Sequence, residues 1–140
     1  MYLVDTDVLS ELRRPRRNPN VVAWLAGAPD DGLYLSVITV GEIAKGIAKL
    51  RRAGSPQAVR DADALQSWLE SVLAGFSQRI LPVTVSVATR WGRLCDAHPQ
   101  LPTDMLIAAT ALEHGLTVAT RNVDHFRRAR APVVNPFEAS

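Results

Sequence analysis

Three acidic residues stand far apart in this chain, each where an α/β fold would carry it to a common place. Asp5 closes the apolar run Tyr2-Leu3-Val4. Glu42 lies in Thr39-Val40-Gly41-Glu42, after a second strand-like run at 33–38. Asp104 lies in Pro102-Thr103-Asp104, where a helical pattern begins. In open parallel sheets, ligand sites form outside the carboxyl ends of the strands. Carboxylates gathered there repel one another unless a positive charge joins them, and a hard divalent cation is the usual partner. Carboxylates with water suit Mg²⁺, whereas His98, His114 and His125 lack the spacing of a zinc site. The chemistry that fits is phosphodiester hydrolysis by an ion-activated water, which needs no side-chain nucleophile. Consistently, there is no Gly-x-Ser-x-Gly, no Gly-rich phosphate loop and no Cys/His pairing around Cys95.

Each acid also has a structural reading. Asp5 or Asp7 could cap the first helix, Thr39 and Glu42 have capping-box spacing, and Asp104 could offset a helix dipole in a first turn. Asn122 and Asp124, which follow a later strand, could be turn residues. Four unrelated caps need not share one rim of a sheet, whereas a metal site requires it.

The elements that must position these residues alternate between strand and helix patterns, which argues for βαβ units and a mostly parallel sheet. Strands are expected at 2–4, 33–38, 79–83 and 116–119, with an edge strand near 132–135. Short helices are expected at 7–12 and 20–26, the second with Val21, Val22, Trp24 and Leu25 apolar. Longer ones are expected at about 40–52, 57–74, 85–96 and 103–114. In the helix at 57–74, Val59, Ala62, Leu65, Leu69, Val72 and Leu73 recur at helical spacing, and Val87, Ala88, Trp91 and Leu94 do so in the one at 85–96. Gly54 with Pro56, and Gly115, supply stops.

At 140 residues, with 47% hydrophobic and 21% charged side chains, the chain reads as a single domain, residues 1–140, able to bury a core. No apolar stretch reaches the roughly 18 residues that span a bilayer. A strand at the very start leaves no room for a signal peptide, and Cys95 is the only cysteine, so a reducing cytoplasm is expected. The formal net charge is only +2, but arginines cluster at 13–17 and 127–130, and lysines and arginines at 45–52. Solvated helix faces would explain them, yet basic flanks about an acidic centre also suit a polyphosphate backbone.

These residues resemble a known family. Leu3-Val4-Asp5-Thr6-Asp7-Val8-Leu9-Ser10-Glu11-Leu12 resembles the opening signature of PIN-domain proteins, in the branch of the VapC and FitB toxins. Residues 35–43, 102–111 and 116–122 resemble its second, third and fourth motifs, and Asn135-Pro136-Phe137 its usual ending. The resemblance implies a three-layer α/β/α sandwich with a central, mostly parallel sheet. It also implies a Mg²⁺- or Mn²⁺-dependent ribonuclease that is the toxin of a type II toxin–antitoxin pair, dimerises, and is silenced by a cognate antitoxin. By position, Asp5, Glu42 and Asp104 would be the acidic triad, Asp5 and Asp104 the direct metal ligands, and Thr6 and Thr120 supporting polar residues. The fourth acidic position of the family falls where this chain has Asn122, with Asp124 two residues on. Asn122 could act through a water or Asp124 could take its place as a supporting residue, and a weakened second metal site is the favoured expectation. Apolar surface from Trp24, Leu25, Ile47 and Leu50 could form the antitoxin groove or the dimer face, with core packing as the alternative. Two other classes compete: a haloacid dehalogenase-type phosphatase using Asp5 as nucleophile, and a non-catalytic RNA-binding or interaction module. The phosphatase needs a later lysine, and none follows Lys49.

Overall fold

The computed structural model describes residues 1–139. Strand β1 (Tyr2–Val4) leads into α1 (Thr6–Glu11) and α2 (Pro19–Gly27). Next come β2 (Leu33–Ser36), α3 (Val37–Ala53), α4 (Pro56–Phe76) and β3 (Ile80–Leu81). The second half holds α5 (Val85–Ala97), α6 (Pro102–His114), β4 (Thr117–Ala119), α7 (Val123–Arg128) and β5 (Val133–Val134). Among the described residues, the five strands form one parallel sheet in the order β3-β2-β1-β4-β5. The chain builds outward from β1 to β2 and β3, then crosses to β4 on the other side. The order therefore reverses between β1 and β4, whose carboxyl ends open a crevice.

Alternation along β1 divides the core between the two faces of the sheet. Val4 joins Val8, Leu9, Val21, Ile43, Ile47, Leu65 and Leu69 on one face. Leu3 joins Met105, Ile107, Ala108, Val118 and Phe126 on the other. Helices thus cover both faces, giving the expected three-layer α/β/α sandwich. Buried Ala108, Ala109 and Ala111 let α6 lie close against the strands. Gly54 (φ 73°) ends α3 in the left-handed region, Ser55 caps α4 by accepting from the Ala58 N–H, and Pro56 opens it. That three-residue series joins the α3–α4 hairpin. Gly115 (φ 64°) ends α6 in the same manner.

The structure moves one boundary that matters. Strand β2 stops at Ser36, whose hydroxyl accepts from the Ile38 N–H and starts α3 at Val37. The β-branched run 37–40 favours a strand locally, but the cap and packing of α3 against α4 override it. Glu42 consequently lies in the second turn of α3, and the capping box does not form. Helix α7 falls where only turn residues were expected. Ala88, Val59, Leu73 and Val22 are exposed rather than core. Conversely, Ile47 is buried and Trp24, Leu25 and Leu50 are half-buried. Ile47, Leu25 and Leu50 belong to the α1–α4 core, and Trp24 meets Tyr2 edge-on, so they offer no open apolar face.

Phe126, fully buried, pins α7 under the β4 side of the sheet. Replacing it with alanine is expected to lower unfolding stability by about 3–5 kcal/mol. Val85→Ala, at an exposed position, should stay within about 0.5 kcal/mol of wild type. Urea midpoints at constant slope measure both.

Candidate active site

Asp5 directly follows β1 and Thr120 directly follows β4, on either side of the crevice. Asp5 does two jobs at once. Its Oδ1 accepts from the Thr6 N–H at 2.8 Å, capping α1, while its Oδ2 accepts from Thr120 Oγ1 at 2.8 Å. The Asn122 N–H donates in turn to Thr120 Oγ1 at 3.0 Å, which leaves the hydroxyl proton aimed at Asp5. Both Asp5 and Thr120 are buried.

Asp104 sits in the first turn of α6, and His125 Nδ1 of α7 lies 2.6 Å from its Oδ2, an imidazole N–H facing a carboxylate oxygen. Glu42 is held from α1: Thr6 Oγ1 donates to Glu42 Oε1 at 2.8 Å. With Ile38, Gly41, Lys45 and Thr103, Glu42 lines a cavity of about 400 Å³. Thr103, the neighbour of Asp104, brings the α6 terminus to that cavity.

The structure adds Asp7 to this group. Its Oδ2 accepts from the Arg121 N–H at 3.0 Å, and its Oδ1 is buried without a partner. Burial first, then the neighbouring charge of Asp7 and a lesser push from Asp104, together lift the Asp5 carboxyl to about 7. The hydrogen bonds from Thr120 and Thr6 act the other way. Asp7 is also raised, by burial first and with a push from Asp104, against the Arg121 N–H bond and the Arg121 charge. Asp5, Asp7 and Asp104 therefore sense one another across the crevice. Among the described residues, no basic side chain pairs with Asp5 or Asp7.

Asn122 and Asp124 stand apart from that group. Asn122 is exposed and contributes its backbone N–H. The Asp124 side chain is 82% exposed and pairs with Arg127 at 3.6 Å. Neither perturbs Asp5 or Asp7. Sequence reasoning passed over Asp7 as a cap and weighed His125 only for zinc. The Asp-Thr-Asp spacing was the available signal for Asp7; nothing local points from His125 to Asp104.

Donors that are all oxygen, a buried carboxylate oxygen left unpaired, and mutual repulsion fit a hard divalent cation. Among the described residues, no three histidine, cysteine or acidic side chains are grouped closely enough to enclose an ion by themselves. Water would complete the coordination, as Mg²⁺ prefers.

Residues 2–132 match the family model described as "PIN domain". The chain is 39% identical to toxin FitB of Neisseria gonorrhoeae over 143 aligned positions, covering 98% of this chain and 99% of FitB. It is 34% identical to VapC ribonuclease Y4jK of Sinorhizobium fredii, covering 99% of each. The crystal structure of FitAcB from Neisseria gonorrhoeae superposes with a TM-score of 0.84 at 39% identity, covering 99% of both chains. A match along nearly the whole length, with the crevice where the sheet order demands it, shows that this chain belongs to the PIN-domain family.

Proposed function

We propose that this chain is the toxin of a type II toxin–antitoxin pair, a metal-dependent endoribonuclease that works in the cytoplasm and is held inactive by its antitoxin. The observation that carries the reading is the cluster of desolvated, mutually repelling carboxylates at the switch point, with one oxygen unpaired. The toxin name of the FitB relative and the ribonuclease name of the VapC relative support it. Within this reading one PIN domain spans residues 1–140, and the active form is a homodimer.

Asp5 and Asp104 are the direct ligands of a Mg²⁺ ion, with Mn²⁺ an acceptable substitute. Such an ion supplies a more acidic bound water and charge to offset the phosphate oxygens. The chain's own residues do the rest. Thr120 fixes the Asp5 carboxyl plane, and His125 fixes that of Asp104. Glu42, oriented by Thr6, offers a carboxylate toward the 400 Å³ cavity, where it can order a water or take its proton. Asn122 supports the site through its N–H on Thr120. Asp124 supports it only at the margin, holding Arg127.

The buried Asp5 carboxyl makes stability depend on pH in a direction that can be worked out. Its folded value, about 7, lies above the ordinary value of 3.8, so the folded chain binds this proton more tightly than the unfolded chain does. The group favours the fold below about pH 4, loses that effect as pH rises from 4 to 7, and costs on the order of 4 kcal/mol above 7. Without divalent ions, Asp5→Asn is therefore expected to melt above wild type at pH 8, with the gap closing near pH 4. Mg²⁺ should raise the melting temperature of wild type and leave the variant unmoved. A variant melting below wild type at pH 8 would contradict the buried-charge argument.

Cleavage is tested by incubating purified protein with structured RNA in Mg²⁺ and in chelator. Wild type should cut only with Mg²⁺, and Asp5→Ala and Asp104→Asn should lose at least 100-fold in rate, on the order of what one group in charge stabilisation or proton transfer contributes. Full cleavage by Asp5→Ala, or cleavage that survives chelation, would remove the proposal.

A further inference from the structure

We propose that the cleft between α1 and the residues after β4 is the subsite that holds the phosphodiester backbone of the RNA strand beside the bond to be cut. It rests on the ribonuclease reading above. The cleft encloses about 240 Å³, and Asp7, Ser10, Arg13, Arg14, Arg121 and Phe137 are among its lining residues. It adjoins the acidic centre directly. Asp7 belongs to both, and Arg121 follows Thr120, whose hydroxyl is bonded to Asp5.

All three arginines are held by a neighbouring group. The Arg121 guanidinium lies 3.7 Å over the Phe137 ring, and that of Arg13 lies 5.8 Å from the Trp68 ring centre. Arg14 pairs with Glu11 at 3.4 Å. A stacked guanidinium is gripped by its face, so its edge keeps planar donors for a phosphate oxygen pair. Phe137 is itself fixed: Asn20 Nδ2 donates to its carbonyl at 2.8 Å, and its N–H donates to Asn135 Oδ1 at 3.0 Å. The C-terminal segment thus serves as the platform for Arg121. Held arginines lose less side-chain entropy when they bind an anion.

The acidic rim selects the occupant. Asp7 and Glu11 among the arginines would repel an acidic protein segment lying the length of the cleft. Phosphates spaced along a strand can meet the guanidinium groups and still continue to the carboxylate centre. Only a substrate strand needs to run on to the reacting bond.

The test measures binding of a mixed-sequence single-stranded oligoribonucleotide in chelator, so that no cleavage is required. Arg121→Gln and Arg13→Gln are expected to weaken binding on the order of tenfold. Each should make the slope of log affinity against log salt shallower by about 0.7, the value for one lost phosphate contact on a single strand. Phe137→Ala should weaken binding by a smaller factor with the slope unchanged, because the charge remains. Arg121→Lys keeps the charge and serves if Arg121→Gln fails to fold: it should retain the wild-type slope with reduced affinity. With Mg²⁺, Arg121→Gln should raise KM more than it lowers kcat. Wild-type RNA affinity and salt slope in both glutamine variants would overturn the proposal, as would loss of antitoxin binding alone. If wild type fails to cut RNA while the glutamine variants still lose binding in chelator, the cleft stands as an RNA subsite and only the nuclease reading falls.

Discussion

Removing the Asp5 carboxyl from water at the point where a parallel sheet changes direction is the constraint to which the rest of this molecule answers. A buried carboxylate is costly unless hydrogen bonds or a counter-charge compensate it. Here the hydrogen bonds come from both sides of the crevice: the first N–H of α1 and the hydroxyl that follows β4. They offset the burial only in part, since the carboxyl is still lifted to about 7 with Asp7 beside it. The remaining deficit is an attraction for positive charge. In PIN-domain chemistry as proposed here, that deficit becomes affinity for a divalent ion.

The fold supplies rigidity at this one place by anchoring each side chain from a second element. Thr6 of α1 holds Glu42 of α3, His125 of α7 holds Asp104 of α6, and the Arg121 N–H after β4 holds Asp7 of α1. The first two tie helices that share a face of the sheet, α1 to α3 and α6 to α7, and the third ties α1 to the segment that follows β4. Carboxylates so held cannot swing apart to relieve their repulsion. Electrostatic preorganisation of this kind resists relaxation and costs folding free energy.

Much of this was legible in the sequence, for reasons that differ from residue to residue. Asp5 could be placed because a short apolar run ending in an acid reads as a strand with something at its carboxyl end. Helix α6 could be placed because Pro102 opens it, Gly115 closes it, and its small residues mark a face against a sheet. The β2–α3 boundary was not legible: Val37 to Val40 carries strand propensity, and a single serine hydroxyl decides the matter. Helix α7 was hidden for a related reason, since six residues with four charged or histidine side chains acquire helical geometry only when Phe126 docks. The contacts of Glu42 with Thr6 and of Asp104 with His125 span 36 and 21 residues, and no local pattern encodes a partner that distant. Glu42 looked like a cap because spacing alone cannot distinguish a hydrogen bond three residues away from one to a neighbouring helix.

The position of Asp7 bears on the residue that departs from the family pattern. Where a fourth acid was expected after β4, Asn122 brings an amide and Asp124 turns toward Arg127. A carboxylate is nevertheless present on the opposite lip of the same crevice, two residues after Asp5, and it presses on Asp5 more than Asp104 does. With Asp7 beside Asp5 and an amide at 122, the negative charge of the crevice gathers at the start of α1. The field is concentrated about Asp5, and the β4 side is left to a neutral amide and to Arg121. A second cation beside Asn122 would meet an amide oxygen that offers no charge compensation, and a guanidinium that opposes it. The same arginine would be favourably placed for a phosphate. On the proposed reading, an amide at 122 and an arginine at 121 act in one direction: they favour a single ion near Asp5 and leave the β4 side of the crevice to the anionic substrate.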